Sequence, residues 1–253
     1  VPAASIGAAT WASGELRYVW SGWDGHRLLL GAEFQNNFRQ SLWSADLEPA
    51  PFVYTDTRLH SSRWSLFVND EWQIRPGLRL NLGLRGDRRL DGQATTTPRV
   101  AAAWSPIPGW TFKAQQGRAF REPNVSELQN PDNPAYPSAA LKVESTRSRE
   151  LSALWQPSPD MSLSATLYAL DIRDSIELAT LDDGSSTYQN HGGMRSRGLE
   201  LEATRNFANG TQARASWSRQ RAVDSMNGAP LSDAPRSLLK LMLTAPGPWP
   251  DLW

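Results

Sequence analysis

The chain has 253 residues, enough for one large domain or two small ones, and its 26 basic residues balance 26 acidic ones. That neutrality excludes the broad cationic footprint of a nucleic-acid binder, and the absence of cysteine excludes a disulfide framework and thiolate metal sites. The histidines are His26, His60 and His191, and no two stand at a ligand spacing, which argues against a histidine-rich metal centre.

The chain is polar on average, and no run approaches the ~18 apolar residues of a membrane-crossing helix. A membrane β-barrel escapes that test, because its strands alternate apolar and polar residues that cancel in any window. Along the chain, alternation first appears where Leu28, Leu30, Ala32 and Phe34 oppose Gly31, Glu33 and Gln35. It is clearest from Trp64 to Arg89. Trp64, Leu66, Val68, Trp72 and Ile74 share one parity, against Ser65, Asn69, Glu71 and Gln73. After Arg75-Pro76-Gly77 it resumes with Leu78, Leu80, Leu82 and Leu84 against Arg79, Asn81, Arg85 and Asp87. Period-two patterns on both sides of a Pro-Gly turn predict a β-hairpin. Further alternating runs contain Leu163–Ala169, Leu199–Ala203, Ala213–Trp217 and Leu239–Leu243, giving about twelve strands of roughly 8–16 residues. Asp70 is out of place, since it shares the apolar parity of Trp64, Leu66 and Val68.

Connections alternate in length. Compact turns are expected at Gly22–Gly25, Arg75–Gly77, Pro106–Gly109, Pro157–Asp160, Phe207–Gly210 and Pro246–Asp251. Between them lie the longer links Arg39–His60, Leu90–Thr97, Arg118–Val143, Glu177–Thr187 and Asp224–Pro235. In an up-and-down sheet this places every short turn at one end and every long loop at the other, the asymmetry of outer-membrane barrels. Trp72, Trp104, Trp110 and Trp155 fall near short turns, as an interfacial aromatic girdle would. The alternatives for these rings are a soluble core or sugar stacking.

Four segments carry a family resemblance. Asn69-Asp70-Glu71-Trp72 precedes Leu80-Asn81-Leu82-Gly83-Leu84-Arg85. Gly117-Arg118-Ala119-Phe120-Arg121-Glu122-Pro123-Asn124 runs into Glu127-Leu128. Leu141-Lys142-Val143-Glu144 precedes Arg149-Glu150-Leu151, and Tyr188-Gln189-Asn190 precedes Arg197-Gly198-Leu199-Glu200. In this order they resemble the barrel portion of TonB-dependent outer-membrane receptors, over roughly Ser61 to Ala245, with Val143 replacing the family's usual proline. The resemblance implies an all-β fold, an antiparallel up-and-down transmembrane β-barrel that is partial here, with about 12 of an expected ~22 strands. Residues 1–253 are then expected to be a fragment of that barrel, without its plug domain and remaining strands.

The implied function is active import of a bulky scarce nutrient, foremost a ferric siderophore, into a bacterium through its outer membrane. The implied partners are TonB, acting through the plug segment, the ferric chelate, and outer-membrane lipid and lipopolysaccharide. Nucleic acid is not among them. No covalent chemistry is implied, so no catalytic residue, cofactor or resident metal is expected. Charge pairs such as Glu200 with Glu202, or Arg85 with Asp87, read as a polar lumen wall rather than as acid–base catalysts. Candidate ligand contacts are Trp43, Tyr54 and His60 in the Arg39–His60 link, with Arg121 and Tyr136 in the Arg118–Val143 link. Aromatic and basic groups suit a bulky anionic chelate, and equally lipopolysaccharide. The motif around Arg121 also reads as structural, shaping the entry of its loop. A passive porin and a soluble carbohydrate-binding β-protein are the competing readings.

Overall fold

The computed structural model describes residues 2–89, 92–129 and 141–247. Its strands are β1 (Ala3–Trp20), β2 (His26–Asp46), β3 (Phe52–Arg75), β4 (Leu78–Arg89), β5 (Ala94–Trp104) and β6 (Trp110–Arg121). A short helix, α1 (Val125–Gln129), precedes β7 (Glu144–Ser158), β8 (Met161–Arg173), β9 (Ile176–Thr180) and β10 (Ser186–Asn190). The chain continues through β11 (Gly193–Asn206), β12 (Gln212–Asp224) and β13 (Ser237–Thr244). Eleven strands form one antiparallel up-and-down sheet in the order β1-β2-β3-β4-β5-β6-β7-β8-β11-β12-β13, and β9 pairs with β10 separately. Among the described residues β1 and β13 do not pair, so the sheet is an open part of a barrel.

Register follows the alternation. Across the sheet Phe112, Ala153, Ala165, Leu201, Trp217 and Leu239 are successive partners. At the other edge Tyr18 faces Leu30, which faces Val68, which faces Leu84. Residues opposite one another in a ladder share a face, so these rows make one continuous apolar surface. Nothing covers it: Leu16 and Leu241 are each 74% exposed. The buried apolar side chains among the described residues are Ala45, Leu141, Ile176 and Ala222, too few and too scattered for a core. A soluble sandwich would bury one face of the sheet against a second sheet. Among the described residues this sheet has no such partner, and its apolar face is built for lipid.

The short ends are tight and mutually pinned. The β3–β4 turn is two residues, Pro76-Gly77, and Gly77 has φ +78°. Its carbonyl accepts a 2.7 Å bond from Ser105 N, and an added Cβ would lie 2.6 Å from Ser105 O. Only glycine meets both demands. At this end Trp110 stacks on Trp155 at 5.5 Å and on Phe112 at 5.7 Å, and Trp20 meets Trp23 edge-on at 4.6 Å. The expected girdle is therefore present, with Trp20 and Trp23 added to it.

Three expectations change. The Arg39–His60 link is not a loop: β2 runs to Asp46 and β3 starts at Phe52, leaving residues 47–51 as the connection. Two bulges in the β2–β3 register, at Asn37/Gln40 and Ser44/Ala45, switch the facing of residues there and hid the alternation. Glu177–Thr187 lies within the β9–β10 hairpin, whose turn is built on Gly184 at φ +81°. Finally, the Leu90–Thr97 link is shorter than expected, because β4 runs to Arg89 and β5 already starts at Ala94.

Asp70 does occupy the apolar face, and it is not alone there. His26 Nδ1 lies 2.8 Å from Asp70 Oδ2, and the imidazole stacks on Trp72 at 5.1 Å. Both side chains are about a quarter exposed or less, at 26% and 21%. The hydrogen bond offsets part of the burial of these polar groups, while Asp70 Oδ1 is buried without a hydrogen-bond partner among the described residues.

Candidate functional site

On the polar face, charges arrive already paired. Arg85 Nη2 donates to Glu33 Oε2 at 2.8 Å, to Ser65 Oγ at 2.8 Å and to Asp87 Oδ1 at 2.9 Å. Ser65 Oγ donates to Asp87 Oδ1 at 2.6 Å, and both residues are buried. Glu122, just past β6, stands 3.9 Å from Arg63 and 3.8 Å from Arg89, which brings the root of the long loop onto this face. On β11 and β12, Arg214 donates to Glu202 at 2.6 Å. Glu202 thus answers a cation rather than forming an acid–base pair with Glu200. Such a wall is hydrophilic without being strongly attractive to one sign of charge.

The long-loop end holds a more specific construction. Pro123 closes the extended segment, and Asn124 caps α1. Glu127 N donates to Asn124 Oδ1 at 2.9 Å while Asn124 N donates to Glu127 Oε2 at 2.8 Å. This reciprocal capping box satisfies two helix-end groups at once. Arg121 then grips the same carboxylate with Nη1, 2.9 Å from each oxygen, and reaches Glu144 Oε2 with Nη2 at 3.1 Å. Glu144 Oε2 also accepts from Ile176 N at 3.3 Å. One arginine therefore ties β6, α1, β7 and β9 together.

A second tie lies beside it. Asn190 Oδ1 accepts from Lys142 N at 2.7 Å, and its Nδ2 donates to Lys142 O at 3.0 Å and to Asp174 O at 2.8 Å. The segments Arg121–Leu128, Leu141–Glu144 and Tyr188–Asn190, remote in sequence, thus interlock at one place. Gly198 completes the pattern: a Cβ there would lie 2.6 Å from the Tyr168 ring, whose hydroxyl donates to Gln220 Oε1 at 3.0 Å. At the opposite, short-turn end, the Asp160 carboxyl is held below the usual carboxylate range by the Ser158 hydroxyl first, then by its own backbone N–H and by Arg205.

Of the predicted contact residues, Trp43 is half-buried on β2, while Tyr54 and His60 are exposed on β3. They share the extended β2–β3 arm rather than a loop. Tyr54 donates to Asp46 and meets Phe52 edge-on at 5.1 Å. Arg121 stands apart, its guanidinium engaged by Glu127 and Glu144, and Thr57 Oγ1 donates to Gln129 Oε1 at 3.5 Å, joining its helix to the arm. Tyr136 lies outside the described residues. The roles of Glu127, Glu144 and Asn190 were not foreseen. The Asn124-x-x-Glu127 spacing is a readable cap signal, whereas Asn190 stands out only through the Tyr188-Gln189-Asn190 resemblance, which says nothing of its partners.

The comparisons agree with this geometry. Residues 5–253 match the family described as TonB dependent receptor-like, beta-barrel. The iron-regulated outer membrane virulence protein of Vibrio cholerae serotype O1 is 29% identical over 131 residues, 49% of this chain and 20% of that protein. Copper transporter OprC superimposes with a TM-score of 0.78 at 20% identity, over 98% of this chain and 42% of its own. A ferric enterobactin receptor mutant, PfeA from Pseudomonas aeruginosa, gives a TM-score of 0.73 at 21% identity, over 94% of this chain and 39% of its own. The two solved structures show a shared fold, and the chain spans about a fifth of the curated relative's length. These neighbours are receptors and transporters rather than enzymes, and the family match leaves the passive-porin reading without support. The chain belongs to the TonB dependent receptor-like β-barrel family, and its strands are part of the wall of an outer-membrane receptor.

Proposed function

We propose that this wall belongs to an importer of a bulky, scarce nutrient, a ferric siderophore, driven by energy delivered through TonB. The observation that carries the reading is the interlocked loop root on a polar, charge-compensated face, in a chain matching the family over residues 5–253. Rigid loop roots hold ligand-binding tips in register, and a compensated wall lets a polar cargo pass without trapping it. Trp43, Tyr54 and His60 on the β2–β3 arm, with Tyr136 of the segment that follows α1 in sequence, supply ligand contacts by stacking and hydrogen bonding. Arg121 positions that loop through Glu127 and Glu144. Iron-regulated and siderophore-receptor relatives support iron as the cargo.

The test is uptake by the full-length protein in iron-limited cells, supplied with a panel of labelled ferric siderophores, with and without TonB. Saturable uptake of one chelate that disappears without TonB is expected. TonB-independent uptake, or a steady open-pore conductance in a planar bilayer, would overturn the reading.

A further inference from the structure

One ladder of the sheet stops early. β5 pairs with β4 along its whole length, from Arg88 with Ala94 to Leu78 with Trp104. β6 pairs with β7 throughout, from Trp110 with Trp155 to Arg121 with Glu144. Between β5 and β6 the register starts at Trp104 with Phe112 and ends at Arg99 with Gly117. Both strands continue past that point, Ala94–Pro98 on one side and Arg118–Arg121 on the other, without pairing to each other. Among the described residues, every other ladder of this sheet reaches both ends of its shorter strand.

The residues of β5 explain where this seam begins. Pro98 has no N–H to donate, and proline within a sheet marks a free edge or a bulge. Thr97 turns its hydroxyl back toward β4, onto Arg85 O at 3.5 Å. Ala94–Pro98 lie about six to ten residues from Trp104, which at ~3.3 Å per residue and a tilt of ~40° is roughly 15–25 Å from the aromatic end. An outer-membrane barrel's apolar band is about 25 Å tall, so the seam falls in its outer part. Backbone without a ladder is tolerated at that depth only against protein or water. The seam is a weak line in an otherwise continuous wall, and it needs a closure.

The closure is built from side chains. Glu122 follows β6 directly, yet its carboxylate reaches past β5. Its Oε1 lies 3.9 Å from Arg63 Nη1 on β3, and its Oε2 lies 3.8 Å from Arg89 Nη1 at the end of β4. Both distances exceed a hydrogen bond. Arg63 Nε, in the same cluster, is buried without a hydrogen-bond partner among the described residues. The carboxylate is thus held by charge alone and is not fastened. Its chain neighbour Arg121 is the clamp on α1 and β7, so whatever moves the loop root moves Glu122.

We propose that the outer half of the β5–β6 contact is a gate in the barrel wall, latched by Glu122 across Arg63 and Arg89. A shift of the loop root toward β3 and β4 fastens the latch and brings the two edges within pairing distance, and the opposite shift parts them. The ladder of Arg99–Trp104 with Phe112–Gly117 is the hinge. The part this gate plays in transport rests on the import reading above, whereas its existence does not.

The experiment uses the full-length receptor in lipid vesicles. Spin labels are attached to T97C/A119C, which a continued register would place opposite each other, and to A101C/Q115C, which the ladder does pair. Pulsed dipolar distances should show one narrow component for the second pair and two for the first, separated by about 5 Å, one strand spacing. E122Q should raise the share of the longer component at the first pair and leave the second unchanged. If E122Q does not insert, the contrast between the two pairs in the otherwise unmodified wall decides the matter. A single narrow component at both pairs, or a first pair that ignores E122Q, would overturn the gate. Oxidising T97C/A119C to a disulfide should lower uptake of labelled ferric siderophore roughly tenfold, with recovery in reductant and no effect of oxidation on A101C/Q115C. Undiminished uptake with the seam locked would remove its part in transport. Absence of uptake by the unmodified receptor would sink the import reading instead and leave the distance measurement to decide the gate.

Discussion

Asn190 and Lys142 are 48 residues apart, yet the Asn190 amide hydrogen-bonds the Lys142 backbone in both directions, at 2.7 and 3.0 Å. A side-chain amide is the smallest group that can pair with a backbone amide in this way. The β9–β10 hairpin is thereby moored to the strand entry of β7, which lets a long excursion keep one position.

Asn190→Asp tests the mooring. The carboxylate keeps an acceptor for Lys142 N but loses both donors and faces the carbonyls of Lys142 and Asp174. A loss of about 1–3 kcal/mol is expected locally. Hydrogen exchange should accelerate at Lys142 and across residues 176–190 while the main sheet keeps its protection.

Arg121→Ala should free the loop root rather than unfold the barrel. Glu127 and Glu144 lose their shared cation, and the capping box at Asn124 remains. The guanidinium is 43% exposed, so solvent screening limits the cost to roughly 1–2 kcal/mol. New protease cleavage within residues 122–143, with an unchanged far-ultraviolet spectrum, is the expected signature. Glu127→Gln should do the same more mildly.

Gly198→Ala should drive the Tyr168 ring from its place against β11, since the new Cβ would sit 2.6 Å from it. Overpacking of this kind costs about 1–3 kcal/mol. The double variant G198A/Y168A should recover part of that loss over G198A alone. A thermal-unfolding double-mutant cycle with no coupling between the two sites would refute the fit.

His26→Leu leaves the Asp70 carboxylate on the apolar face without its hydrogen-bond partner. Denaturation from lipid vesicles should show a loss of about 1–3 kcal/mol. Replacing both, as H26L/D70L, should restore most of it, because two apolar groups need no partner.

Leu82→Arg and Asn81→Arg compare the two faces at adjacent positions. Leu82 points to the lipid side beside Asp70 and Val100, and Asn81 to the polar side opposite Glu71. The first change should cost roughly 2–4 kcal/mol in a bilayer and the second little. Equal costs would contradict the assignment of faces.

The strands, their two faces, the aromatic short-turn end and the long links from β6 onward were legible in the residues of Trp64–Arg89 and its repeats. Each rests on local rules: a side-chain period of two, turn chemistry, and rings that prefer an interface. The β2–β3 arm was not legible, because bulges at Asn37/Gln40 and Ser44/Ala45 break the period that reveals a strand. The Arg121 clamp, the Asn190 mooring and the His26 partner of Asp70 all join residues from different strands. Sequence alone determined which residues could face lipid and which could face water. Only the register of the sheet decided which of them meet, because pairing across strands is a non-local choice that no single stretch of chain contains.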